Sequence, residues 1–177
     1  IRPGNAANWV KKTPEDFRFT AKLYQKFTRP KMYEEASGEV ADLKLEDLRR
    51  FKEGLAPLRE AGKLGCLLAQ FPASFKLDEE SLTYLEDLVG QFEGIPLAVE
   101  LRHRSWSDSP ETFRLLESRR VTWCMIDEPK FRTSVGDVPV TGNIAYFRFH
   151  GRNAKERWTG ARETRYNYLC SPERISS

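Results

Sequence analysis

The stretch AVELRHRSW, Ala98 to Trp106, sets four ionisable side chains, Glu100, Arg102, His103 and Arg104, against the end of a short apolar run. A second stretch, AYFRFHG, does the same with Arg148 and His150. Charged groups rarely occupy a buried strand unless something there pairs with them. Guanidinium forks match carboxylate and phosphate oxygens, a carboxylate can abstract a proton, and an imidazole titrates near neutral pH. Together they suit a site for a small anionic ligand. Arg102, Arg148 and Lys22 would hold the anion, with Gln70 and Trp106 as further substrate contacts. Glu100 or Asp127 would abstract a proton, and His150 would act as acid or base.

Period-two alternation decides where these groups point. In LAVELRH, Leu97, Val99 and Leu101 share one face while Ala98, Glu100 and Arg102 share the other. In AYFRFHG, Ala145, Phe147 and Phe149 oppose Tyr146, Arg148 and His150. The apolar face of each strand must meet covering helices, so Glu100, Arg102, Arg148 and His150 turn to the inside. Lys22, Gln70 and Asp127 are likewise the last polar residues of their strands. His103 falls on the outward parity and is the weaker of the two histidines in the chain.

The elements that carry these residues follow from pattern. FRFTAK alternates as a strand, LGCLLAQFP is an apolar run stopped by Pro72, and IPLAVELRH, VTWCMIDEP and NIAYFRFHG complete a set of five strands. Between them, Leu45, Leu48, Phe51, Leu55 and Leu58 mark a helix ending near Gly62. Leu82, Leu85, Val89 and Phe92 mark a second helix, with Asp78, Glu79 and Glu80 at its start. A third opens with Ser109 as cap and Pro110 in the first turn. The connection EPKFRTSVGDVPVTG is short and non-helical. Strand and helix alternate, so the sheet is expected to be parallel, with its ligand at the carboxyl ends of the strands. Five strands are too few for a closed barrel of about eight, leaving either an open doubly wound sheet or strands outside this chain.

Other readings compete. Glu100 with Arg102 or Arg148 fits equally a structural ion pair inside a stable scaffold. Asp127 before Glu128 and Pro129 suits a turn, Gln70 could serve the backbone, Lys22 could reach solvent, and Trp106 could close the core. Two arginines on the inner faces would repel a divalent cation, so no metal is expected. Neither KLGC nor GRNAK has the glycine spacing of a nucleotide loop, and no cofactor is expected.

Composition narrows the partners. In 177 residues, 29 Lys and Arg stand against 26 Asp and Glu in a scattered pattern, which supports a nucleic-acid partner only weakly. The aromatics Trp106, Trp158 and Tyr166 near basic residues keep open a non-catalytic anion-binding or nucleic-acid-binding protein. No apolar stretch reaches the roughly 18 residues of a membrane span and no secretory signal opens the chain. Cys66, Cys124 and Cys170 form no disulfide or zinc pattern, and a reducing, cytoplasmic setting is expected.

Taken in order and spacing, FRFTAK, LGCLLAQFPASF, AVELRHRSW, MIDEP and VTGNIAYFRFHGRN resemble the YecE-like family, a domain of unknown function. The likeness runs from Trp9 to about Tyr168. It implies one α/β domain over residues 1–177, a parallel (β/α)8 TIM-type barrel of which this chain holds about five to six of eight strands. It also implies that the family's recurrent positions fall on Lys22, Gln70, Pro72, Glu100, Arg102, Ser105, Trp106, Asp127, Thr141, Arg148, His150 and Gly151. Leu101 stands where a phenylalanine is usual, and Ala69 and Phe71 flank the glutamine as small departures. No established reaction comes with the family. The expected function is an enzyme, a hydrolase, lyase or isomerase, acting on a small anionic or phosphorylated substrate.

Overall fold

The near-continuous apolar run at Leu64 can be buried on both faces only inside a sheet, and it forms the central strand of one. In the computed structural model, which describes residues 1–29, 43–129 and 131–150, this strand is β2 (Leu64–Gln70). It pairs in parallel with β1 (Phe19–Lys22) on one side and β3 (Leu97–Glu100) on the other, and β3 pairs with β4 (Thr122–Trp123). A second parallel pair joins β5 (Met125–Asp127) to β6 (Phe147–Phe149). Only Cys124 separates β4 from β5. Its amide donates to Val99 O, while the next amide, of Met125, donates to Tyr146 O. Successive amides thus point to opposite neighbours, as in any strand, and the chain crosses from one sheet to the other at this residue.

The result is an α/β fold of parallel strands, and the sheet is not closed. An open array of five strand positions agrees with the expected parallel α/β pattern and is fewer than the about eight strands that close a barrel. Among the described residues, β1 and β6 lie at its two ends and have no strand on their outer sides.

Helices cover one face. Leu48, Leu55 and Leu58 of α3 (Leu45–Glu60) are buried, and Gly62, at φ +64°, ends that element in the left-handed region open to glycine. Leu45 departs from the expected stripe: in the first turn it is 77% exposed. Asp78 caps α4 (Glu79–Gly90) by accepting from Ser81 N at 2.7 Å, and Leu85, Leu88, Val89 and Phe92 face the sheet. Ser109 precedes α6 (Pro110–Ser118) as expected, although its side chain makes no capping bond. Three helices escaped the pattern: α1 (Pro3–Lys12), α2 (Gln25–Thr28) and α5 (Arg104–Ser107). α1 buries little of itself beyond Ala6, and its position is fixed from outside. The buried ammonium of Lys63 donates to Val10 O, Thr13 O and Thr13 Oγ1 at 2.8 to 3.1 Å, satisfying carbonyls that the helix end leaves over.

The alternation expected from sequence separates two packing faces. Ala21, Leu67, Ala69, Leu97, Val99, Leu101 and Trp123 join the helices in the main core. Cys66, Leu68, Ala98 and Cys124 form a small inner cluster, capped by Ile144 and Tyr146. β6 departs from the expectation that each apolar face meets helices: Phe147 and Phe149 are 56% and 59% exposed.

The non-helical connection after β5 is tied to β4 by one side chain. Thr141 Oγ1 donates to Val121 O at 2.7 Å and accepts from Trp123 N at 2.9 Å, both buried. At Gly142 the chain runs so close that an added Cβ would lie 2.7 Å from Thr122 N. Thr141→Val keeps the volume and leaves a buried N–H and a buried carbonyl unpaired, so it should cost about 1–3 kcal/mol, read from the urea midpoint. Thr141→Ser should recover most of that loss. Equal stability of wild type and the valine variant would show that Thr141 does not fasten this connection.

Candidate functional site

The inner face ends in charge. Glu100, the last residue of β3, is fully buried, and Arg102 lies two positions on with the same parity. Arg102 donates from Nε to Glu100 Oε1 at 2.6 Å, and its Nη2 lies 2.5 Å from the same oxygen. Arg148, in the middle of β6, donates from Nη1 to Glu100 Oε2. Each oxygen of the carboxylate is therefore held by a different guanidinium. The guanidiniums are not spent in return: Arg102 Nη1 and Arg148 Nε and Nη2 make no hydrogen bond among the described residues. Their side chains remain 18% and 25% exposed.

His150 follows β6 on the parity of Arg148, and its main-chain N donates to Asp127 O. Arg102 Nη2 donates to His150 Nε2 at 3.1 Å. Arginine has no acceptor, so Nε2 carries the lone pair and the ring proton sits on Nδ1. Burial, with Arg102 and Arg148 adding to it against Glu100 and Glu128, holds His150 below the usual imidazole range. The ring is neutral at neutral pH.

Lys22 ends β1 on the inner face, in register with Leu68, and is an exposed residue. Partial burial of its charge, then Arg148, with Arg29 and Arg102 adding, lowers its pKa below the lysine range against the opposing Glu100. Gln70, last in β2, lies in register with Glu100. Its Oε1 is buried with no hydrogen-bond partner.

Lys22, Gln70, Glu100, Arg102, Arg148 and His150 are thus brought together. Asp127 and Trp106 are not. Asp127 is in register with Phe149, and register partners share a face, so it lies on the side of the sheet opposite Arg148. Trp106 is fully buried, stacked on Phe75 at 5.1 Å, with its Nε1 donating to Phe75 O at 2.8 Å. Phe75 in turn stacks on Phe71 at 4.2 Å. The indole pins the loop after β2 to the loop after β3 and presents no surface to a ligand. His103 also serves the loop: its Nδ1 accepts from Ser105 N, and Ser105 Oγ accepts from Leu77 N. Trp158, Tyr166 and Gly151 lie outside the described residues.

Glu128 was missed. It is buried and acts on His150. Counting parity from Thr122 through Cys124 and Ile126, whose register partner is Arg148, would have assigned the inner face to Glu128 and denied it to Asp127. The two thiols of the inner cluster are free, and burial raises Cys66 to about 11 and Cys124, with Glu100 adding to it, to about 12, so neither is a ready thiolate.

No described helix is long and apolar enough to cross a membrane. The family model for the protein of unknown function DUF72, the YecE-like family, matches residues 1–176. The UPF0759 protein YunF of Bacillus subtilis (strain 168) is 35% identical over 191 residues, covering 99% of this chain and 65% of YunF. A DUF72 family protein from Thermotoga maritima MSB8 is 40% identical with a TM-score of 0.79, covering 96% of this chain and 62% of its own. One from Enterococcus faecalis V583 is 30% identical with a TM-score of 0.84, covering 99% and 66%. The chain therefore spans about two thirds of the length of the relatives it matches. With nearly its whole length matched by the family model and its fold shared by two solved members, this chain belongs to the DUF72 family.

Proposed function

We propose that the protein is an enzyme that binds a small anionic substrate at the carboxyl ends of its parallel strands and moves a proton there. One observation carries the reading: Arg102 and Arg148 hold a single buried carboxylate with Lys22 on the same inner face, and Arg102 Nη1 and Arg148 Nε and Nη2 make no hydrogen bond among the described residues. An ion pair that existed only to stabilise the fold would gain by spending those donors. A carboxylate or phosphate seated on them would add charge-assisted bonds worth about 1.5–3 kcal/mol each. The reading takes the array as an arc of a (β/α)8 barrel, supported by its parallel strands, three of which, β1, β2 and β3, end in a polar inner residue. A cytoplasmic setting is supported by two buried, free thiols.

The same geometry supplies a base. Without ligand, Arg102 occupies the lone pair of His150 Nε2. An anion that draws the Arg102 guanidinium toward itself releases that lone pair on an imidazole already neutral at pH 7. Glu100 stays buried as the counter-ion that keeps both arginines extended and is not itself a free base. Proton abstraction beside an acidic group fits a lyase or isomerase, and activation of a water by the same nitrogen fits a hydrolase.

Inorganic phosphate or a small carboxylate at millimolar concentration should raise the melting temperature of the wild type. Arg148→Met should weaken that binding by roughly ten- to a hundredfold, the loss of one charge-assisted bond. A wild type that melts at the same temperature with and without such anions would reduce the cluster to a structural ion pair. Steep salt-sensitive binding of an oligonucleotide, in the absence of a phosphate effect, would favour a nucleic-acid surface instead.

The neutral histidine gives a second test. A depressed folded-state pKa contributes stability that is fully present above the unfolded value of about 6.5 and is lost as pH falls through the folded one. Wild-type stability should therefore fall on acidification below about 6.5. His150→Gln, whose carbonyl can accept from Arg102 without titrating, should lose part of that slope. His103, also held below its usual range by burial and Lys76, keeps its own share. Identical pH–stability curves for the two proteins would count against a buried, neutral His150.

A further inference from the structure

Resting on the anion-site reading, we propose that Gln70 reads a hydrogen-bond donor on the ligand, so that the anion this site takes is a hydroxylated one. A hydroxy acid or a polyol phosphate, with its hydroxyl a few bonds from the acidic group, fits this requirement. Gln70 closes β2 on the inner parity of Cys66 and Leu68. Its amide oxygen is shut off from water and accepts nothing. Two other buried side-chain atoms are orphaned among the described residues, Thr112 Oγ1 and Trp123 Nε1, but Trp123 lies in the main core and Thr112 is a fully buried residue of α6. Only the Gln70 oxygen adjoins the charge cluster.

No described neighbour satisfies it. Glu100, its register partner, is an acceptor with both oxygens already taken. The cations of the cluster are held by Glu100 or left for the anion, and none donates to Gln70 Oε1. A buried carbonyl without a donor is costly, and a ligand O–H recovers that cost only while bound. Register neighbours on parallel strands are about 4.8 Å apart. An anion on the guanidiniums that Glu100 holds therefore lies within a few bonds of a group that can reach Gln70. A ligand lacking the hydroxyl leaves the carbonyl as it is, which is how a polar site discriminates against a deoxy analogue.

Matched pairs separate the two readings, using the protein over its full chain. Calorimetric titration would compare glycerol 3-phosphate with n-propyl phosphate and glycerate with propionate, alongside inorganic phosphate. In whichever pair binds, the hydroxylated member should bind at least about tenfold more tightly. Gln70→Met, similar in volume and without the carbonyl, should shrink that advantage below about threefold and leave the deoxy member nearly unchanged. Equal affinities within both pairs in the wild type, or an advantage that survives Gln70→Met, would overturn the role of Gln70 while phosphate binding still upheld the anion site. Failure of phosphate and of all four organic anions to bind would sink the anion site and this inference with it. Should Gln70→Met not fold, the wild-type ratios decide.

Discussion

A carboxylate with no exposure to solvent holds the strand ends of this protein in place. Removing Glu100 from water is costly, and nothing but charge-assisted contact offsets that cost. The two contacts come from different directions, one from two residues along its own strand and one from a strand beyond β4 and β5. An arginine on β6 meets a carboxylate on β3 by reaching over the one strand position between them, so the ion pair ties the two sheets together on their inner face. Because Glu100 is fixed on a hydrogen-bonded strand, the arginines are the partners that can move, and any ligand must negotiate with them and not with the acid.

The passage from one sheet to the other is made at Cys124. There the strand leaves β3 and takes up β6, with Thr141 fastening the returning chain to Val121 and Trp123, and Thr122 Oγ1 donating to Ile144 O. Arg148 and His150 owe their positions to this crossing, since among the described residues β6 pairs with β5 alone. Behind the sheet, Trp106, Phe75 and Phe71 stack into a column that locks two of the loops beside the site. The site is built on rigid strand ends in front and on packed aromatics behind.

Much of this was legible in the residues. Strands β1 to β3 and helices α3, α4 and α6 each carry a clean period, and the alternation in LAVELRH and AYFRFHG located the charges on one face before any coordinate did. What failed, failed where periodicity stops speaking. α1 has only a short stripe of small residues, Ala6 and Ala7 with Val10, and its end is held by Lys63 from a distant position in the sequence, a tertiary contact that local pattern does not encode. Trp106 follows its strand, so alternation gave no side for it, and only packing sent it into the core. Asp127 is the opposite case. Its side was countable: parity through Cys124 and Ile126 puts Glu128 on the inner face and Asp127 on the other, while its place near the end of the strand says nothing of its side.

The contact between Arg102 and His150 is the step at which structure becomes chemistry. A guanidinium donating to a neutral imidazole is electrostatically poor compared with one donating to an anion, so this bond is the weakest of those Arg102 makes. The one to Glu100 is short, charge-assisted and buried. When an anion competes for the arginine, the histidine bond is the first to yield, and what it yields is the lone pair of a base. Had the ring been charged, it would have been repelled by Arg102 and Arg148 and could only have given a proton. Burial, which lowers its pKa, and the two arginines, which lower it further, thus favour the acceptor form of His150, and under the proposed function its release would follow the arrival of negative charge.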